Sequence, residues 1–224
     1  MLYTAIAEAM MVAFGTASSS FHFEEVSVRS RFENCSTELM FKDVDETDYY
    51  YDAVVWALEN GIIEGENWML EPSSNVSRAR IVRILWRLAD RPGNIVYGSD
   101  SKKEEQIVTG FTDVPGSVPY ATAVVWAVNN EITDGISDTE FAPEAFCTRG
   151  EIITFLYRYA GSPEVTVGNI DTIFTDVDVD EYYAPAVRWA YDNGIIKGKE
   201  NKILGVIDIC TKAEVIEMIY RYAN

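Results

Sequence analysis

Residues 111–151 read FTDVPGSVPYATAVVWAVNNEITDGISDTEFAPEAFCTRGE. An aromatic-x-Asp-Val opening, Phe111-Thr112-Asp113-Val114, lies fifteen residues before Trp126, which lies nine before Gly135. The same phrase flanks this stretch on both sides with both offsets kept. Phe41-Lys42-Asp43-Val44 leads to Trp56 and Gly65, and Phe174-Thr175-Asp176-Val177 leads to Trp189 and Gly198. Each copy then carries Ser77-Arg78, Thr148-Arg149 or Thr211-Lys212, with Arg87, Arg158 or Arg221 nine residues beyond the basic residue. A fixed period of this kind marks one supersecondary unit written three times, which buries its apolar face only against its neighbours. The units span residues 41–92, 111–160 and 174–224. Connectors at 93–110 and 161–173 join them, and residues 1–40 form a separate N-terminal segment.

Each unit predicts two helices. The first, over 51–60, 120–130 and 183–193, has small and apolar residues at i, i+3 and i+4 spacing. Gly61 and Gly194 stand where a left-handed residue ends a helix; the second copy has Glu131 there, so Asn130 is expected to take that conformation instead. The second helix starts at Ser77, Thr148 or Thr211. Thr148-x-x-Glu151 and Thr211-x-x-Glu214 are capping boxes, whereas the first copy has Arg80 in place of the Glu and loses the box. Ile81, Leu85 and Leu88, then Ile152, Leu156 and Tyr159, then Val215, Ile219 and Tyr222 form equivalent stripes. They can be buried around a pseudo-threefold axis, so the expected fold is all-α.

The polar connector 93–110 and the shorter 161–173 carry no catalytic signature. Residues 4–14 read as a short helix, followed by a Ser18-Ser19-Ser20 break and a loosely alternating stretch over 21–32. Residues 9–17 end in small residues as a secretory signal does, but no Lys or Arg precedes them and Glu8 interrupts the run. An amphipathic helix or a start inside a longer protein is the alternative.

The formal net charge is −18, from 36 acidic and 18 basic residues. That balance opposes a sequence-independent grip on nucleic acid or on an anionic membrane. A few converging cations can still hold an anion, because distant charges are screened beyond about 8 Å. Cys35, Cys147 and Cys210 give no disulfide framework. Cys147 and Cys210 share a slot with Val76, which reads as buried and apolar. With His22 the only histidine, neither a zinc site nor a Ser-His or Cys-His catalytic set is indicated. Asp176-Val177-Asp178-Val179-Asp180 opens like a calcium loop, but Glu181 replaces the required Gly and Val187 the closing Glu. No metal, cofactor or enzymatic activity is expected, and no stretch is long and apolar enough for membrane insertion.

The run from Phe111-Thr112-Asp113-Val114 through Trp126-Ala127, Ile132, Gly135 and Phe141-Ala142-Pro143 to Cys147-Thr148-Arg149-Gly150-Glu151 resembles the S-layer homology repeat. The likeness extends over residues 41–224 and is closest in the first two copies. It implies three helical repeats forming a pseudo-threefold trimer, with a central three-helix bundle, outer helical prongs and grooves between them. It further implies a secondary cell wall polysaccharide as partner, commonly with a pyruvylated amino sugar. The location implied is extracellular, at a bacterial envelope or S-layer, with a surface protein joined or associated at the N-terminal side.

Carried over residue by residue, the resemblance makes Arg78, Arg149 and Lys212 the groove cations. A cation at a helix start stands beside exposed amides, and together they could hold a carboxylate. Asp43, Asp113 and Asp176 would accept from sugar hydroxyls or orient the cation. Trp56, Trp126 and Trp189 would offer a ring edge, and Gly65, Gly135 and Gly198 would admit the polymer to the backbone. Plainer readings stand beside these: core packing for the tryptophans, a helix cap for the Asp, and carboxylate pairing for Arg87, Arg158 and Arg221. Lys212 keeps charge but loses the bidentate fork, and the third copy lacks the Phe-x-Pro element. The competing functions are a drifted scaffold for protein contacts and a carbohydrate-active enzyme with paired carboxylates.

Overall fold

The turn that follows each Phe-x-Asp-Val phrase delivers the chain into the first helix of its unit. The computed structural model describes residues 41–65, 68–92 and 109–224. The expected helix over 4–14, the stretch over 21–32 and nearly all of connector 93–110 lie outside the described residues. Seven α-helices and no strand occur among the described residues: α1 Tyr51–Glu59, α2 Arg78–Leu88, α3 Ala121–Asn129, α4 Arg149–Tyr159, α5 Ile170–Ile173, α6 Ala184–Asp192 and α7 Lys212–Ala223. The four-residue α5 falls inside connector 161–173, where no helix was expected, and it is pinned by the buried Ile170.

The two helices of a unit are stabilised differently. In α1, α3 and α6 the N-cap residues Tyr50, Tyr120 and Tyr183 make no side-chain cap bond. Burial of small residues holds these helices instead: Ala53, Val54 and Ala57, then Ala123, Val124 and Ala127, then Ala186, Val187 and Ala190. Their last turns are closed by Asn60, Asn130 and Asn193, whose side-chain amides donate to the carbonyls of Trp56, Trp126 and Trp189, each at 2.8 Å. That use corrects one expectation: Asn130 stays at φ −104° and Glu131 takes the left-handed position at φ 57°. Both capping boxes are complete, and Ser77 accepts only from the Arg80 amide.

The second helix of each unit packs on the first helix of the next: α2 on α3, α4 on α6, α7 on α1. α2 also meets α4, and the rings of Tyr159 and Tyr222 join α4 to α7 at 5.8 Å. Ile81, Leu85, Ile152, Leu156, Val215 and Ile219 are buried, each contributing about 1.5–3 kcal/mol of transfer free energy.

Three backbone bonds then close a ring. Val76 N–H donates to Cys210, Cys210 N–H to Cys147, and Cys147 N–H to Val76, at 3.0, 3.0 and 2.9 Å. Cys147 and Cys210 are buried free thiols, and burial pushes both up to about 12. No helix among the described residues is long and apolar enough to cross a membrane.

Candidate functional site

The motif aspartates fasten a loop within their own unit. Asp43 accepts the Leu70 and Glu71 amides at 2.8 and 2.6 Å, and Asp113 accepts those of Phe141 and Ala142 at 3.0 and 2.7 Å. Asp176 accepts Leu204, Gly205 and Val206 at 2.8, 2.7 and 3.2 Å. Glu71, Ala142 and Gly205 have φ of 55°, 58° and 76°, so consecutive N–H groups converge as a small anion nest that the carboxylate fills. Burial pushes Asp113 and Asp176 upward. The amide bonds outweigh it and hold both carboxyls below their usual value, with Arg78 adding to the effect at Asp113.

The loop so fastened receives the helix start of the preceding unit. Arg78 and Ala79 amides donate to Ala145 and Pro143, Arg149 and Gly150 to Asp208 and Val206, and Lys212 and Ala213 to Ser74 and Pro72, all between 2.8 and 3.0 Å. These are the N–H groups a helix cannot satisfy itself. The expectation of exposed amides beside the cation is thereby corrected, since the neighbouring loop already occupies them.

The three cations follow the same cyclic path. Arg78, only 7% exposed, donates from Nε to the Phe141 carbonyl at 2.9 Å, with its guanidinium 5.1 Å from the Phe141 ring and 5.3 Å from that of Phe155. Lys212 Nζ donates to the Leu70 carbonyl at 2.8 Å and pairs with Glu71 at 3.0 Å. Arg149 pairs with Glu214 at 3.2 Å, while its Nε is buried without a hydrogen-bond partner.

The motif glycines leave room for the motif phenylalanines. A Cβ on Gly65 would overlap the Phe41 ring, and one on Gly135 or Gly198 would stand 2.6 or 2.7 Å from Phe111 or Phe174. The tryptophans pack on tyrosines of the second helices: Trp56 on Tyr220 at 5.6 Å, Trp126 on Tyr159 at 6.2 Å, and Trp189 on Tyr157 and Tyr222 at 5.6 and 5.9 Å. Arg87, Arg158 and Arg221 donate to the carbonyls of Ile62, Ile132 and Ile195 and pair with Glu64, Asp134 and Glu217.

A groove of 280 Å³ opens beside the first unit. One wall is the α2 face bearing Arg80, Arg83 and Arg87, another the Glu64–Gly65 and Met69–Glu71 segments, and Lys212 reaches in from the third unit. Of the expected glycan-contacting residues it brings together Lys212 and Gly65, and with them Arg80 and Arg87, which the sequence also singled out; Arg78, Arg149, the aspartates, the tryptophans, Gly135 and Gly198 are not among its lining residues. Arg83 went unnoticed in the sequence, although Arg80, Arg83 and Arg87 at i, i+3 and i+7 share one helix face. Glu64 pairs with Arg87 at 2.6 Å and Arg83 at 3.5 Å. The Arg87 hydrogen bond outweighs burial and, with the charges of Arg87, Arg83 and Arg91, holds the Glu64 carboxyl low. No group of three or more metal-ligating side chains occurs among the described residues.

The chain matches the S-layer homology domain at residues 41–79, 110–153 and 173–216, more than half of its length. It is 32% identical over 95 residues to a cell surface protein of Thermoanaerobacter kivui, covering 42% of this chain and 12% of that one. It is 27% identical over 157 residues to the surface-layer 125 kDa protein of Lysinibacillus sphaericus, covering 68% and 12%. It is 31% identical over 119 residues to exoglucanase XynX of Acetivibrio thermocellus, covering 52% and 10%. The matched part thus spans only about a tenth of each of these relatives.

Proposed function

Because the chain belongs to the S-layer homology domain family, we propose that it is a non-catalytic module holding a protein at a bacterial cell surface by gripping an acidic wall polysaccharide in grooves between its repeats. The observation that carries this reading is the groove of 280 Å³ lined by Arg80, Arg83, Arg87 and Lys212 in a chain of net charge −18. Four cations against three lining carboxylates, Glu64, Glu71 and Glu144, leave this concavity positive on balance in so acidic a molecule, which suits a carboxylated sugar such as a pyruvate ketal held through charge-assisted hydrogen bonds. The volume lies at the lower end of ligand pockets, about 300 Å³, which fits a sugar unit of a polymer lying across the surface.

In this reading Lys212 and Gly65 face the glycan. Arg78 braces the Phe141 loop and Arg149 pairs with Glu214 of the third unit, Asp43, Asp113 and Asp176 hold the loops in shape, and Gly135, Gly198, Trp56, Trp126 and Trp189 pack the frame. Co-sedimentation of the whole chain with purified wall sacculi tests the proposal. Retention on native sacculi and loss after the acidic polymer is stripped are expected. Equal pelleting with and without the polymer would remove the glycan reading.

A further inference from the structure

The three repeats present the same slots with different charge. Along the second helix, the positions lining the first groove are Arg80, Arg83 and Arg87; their counterparts are Glu151, Thr154 and Arg158 in the second unit and Glu214, Glu217 and Arg221 in the third. Thr154 is turned onto its own helix, bonding the Gly150 carbonyl at 2.8 Å, and Glu217 neutralises Arg221 at 2.6 Å. The first wall therefore carries three positive charges where the second is neutral on balance and the third negative.

Three carboxylates, Glu64, Glu71 and Glu144, also line the first groove, and two of them hold its cations at separate points. Glu64 sits on Arg83 and Arg87, and Glu71 sits on Lys212, with side chains 64% and 66% exposed. Arg80 makes no side-chain bond to any described residue and is exposed. These pairs are exposed on the carboxylate side only, Arg87 and Lys212 being 10% and 11% exposed, so an incoming oxyanion can take the place of Glu64 or Glu71 while the cation keeps a charged partner. Arg80 and Arg87, seven residues apart, span about 10 Å of helix axis.

We propose that this groove alone binds a glycan segment bearing two negative groups, one on Lys212 and one on the Arg80–Arg83–Arg87 stripe, with Glu64 and Glu71 as internal stand-ins for them. This deepens, and rests on, the glycan-anchoring reading. The shared chemistry is a pair of oxyanions, met equally by carboxylates or by phosphates.

The test is calorimetric titration of the whole chain with synthetic disaccharides carrying no acidic group, one or two, in a carboxylate and a phosphate series. The diacid should bind about tenfold tighter than the monoacid, as expected for one added pair of charge contacts. The series with the larger step identifies the group. In the double variant Arg80→Glu/Arg83→Thr, which installs the second unit's residues, both affinities should fall and the diacid-to-monoacid step should shrink to less than about twofold. Glu at position 80 restores a capping box, so thermal unfolding of the variant should show an intact fold. A step that is absent in the wild type, or that survives in the variant, overturns this proposal and leaves glycan anchoring standing if the monoacid binds. Failure of every disaccharide to bind overturns both.

Discussion

Lys212 Nζ donates to the Leu70 carbonyl at 2.8 Å, tying the start of the last helix to the first loop across 142 positions of sequence. It is the third step of a cycle whose first is Arg78 to Phe141, and it makes the units close into a ring where a linear stack would leave two free ends. Removing Lys212 therefore opens the seam between the first and third units. Lys212→Met should lower stability by about 2 kcal/mol, the scale of a lost hydrogen bond from a charged donor, read from urea unfolding of the whole chain.

The equivalent residues Arg78 and Arg149 should not cost the same. Arg78 bonds Phe141 and lies over two aromatic rings, whereas Arg149 buries an Nε that no hydrogen bond satisfies. Arg78→Met loses a buried bond and two cation–π contacts, so a loss of about 3 kcal/mol is expected; Arg149→Met also removes an unsatisfied donor and should cost about 1 kcal/mol or less. Chemical denaturation of the two variants checks the order, and equal losses would contradict it.

Much of this frame was legible in the sequence because helix starts and ends are local chemistry. Thr148 with Glu151 and Thr211 with Glu214 announce their capping boxes within four residues, and the stripes behind them give the buried faces. The partners of Asp113, Gly135 and Arg78 were not legible, since they lie 24 to 63 residues away or depend on how one unit meets the next. Asp113 and Gly135 belong to a signature that reads equally well as ligand-binding or as loop architecture; only the distances separate the two.

Gly198 offers a direct test of the architectural role. Its φ is not in the left-handed region, so its requirement is space: an added Cβ would stand 2.7 Å from the Phe174 ring. Gly198→Ala should destabilise by about 1–3 kcal/mol through overpacking. Phe174→Leu in the same chain should recover part of that loss, giving a coupling of about 0.5–3 kcal/mol in a double-mutant cycle. Strict additivity would show that the ring is not the reason for the glycine.

Acid should loosen the loops before it affects the helices. Asp113 and Asp176 are held below their ordinary value of 3.8 by backbone amides, so folding favours their charged forms. Their stabilisation is complete above that ordinary value and is lost as pH falls through the depressed folded values. The urea midpoint should be insensitive to these two groups between about pH 5 and 7 and drop below about pH 4, and Asp176→Asn should make the drop shallower.

Arg80 sets stability against binding. Ser77 caps α2 through the Arg80 amide at 3.4 Å, but without a Glu three residues on the reciprocal bond to the Ser77 amide cannot form. The other two second helices have that bond, Glu151 to Thr148 at 2.7 Å and Glu214 to Thr211 at 2.9 Å. Arg80→Glu should complete the box, place a negative charge at the positive end of the helix, and stabilise by about 0.5–1 kcal/mol. For a chain of this size that is a rise in melting temperature of about 2–4 °C per kcal/mol, measurable by scanning calorimetry. A substitution that steadies the fold while stripping charge from the groove would show that the first repeat gave up a helix cap for its ligand, the trade expected where a site departs from the most stable local choice.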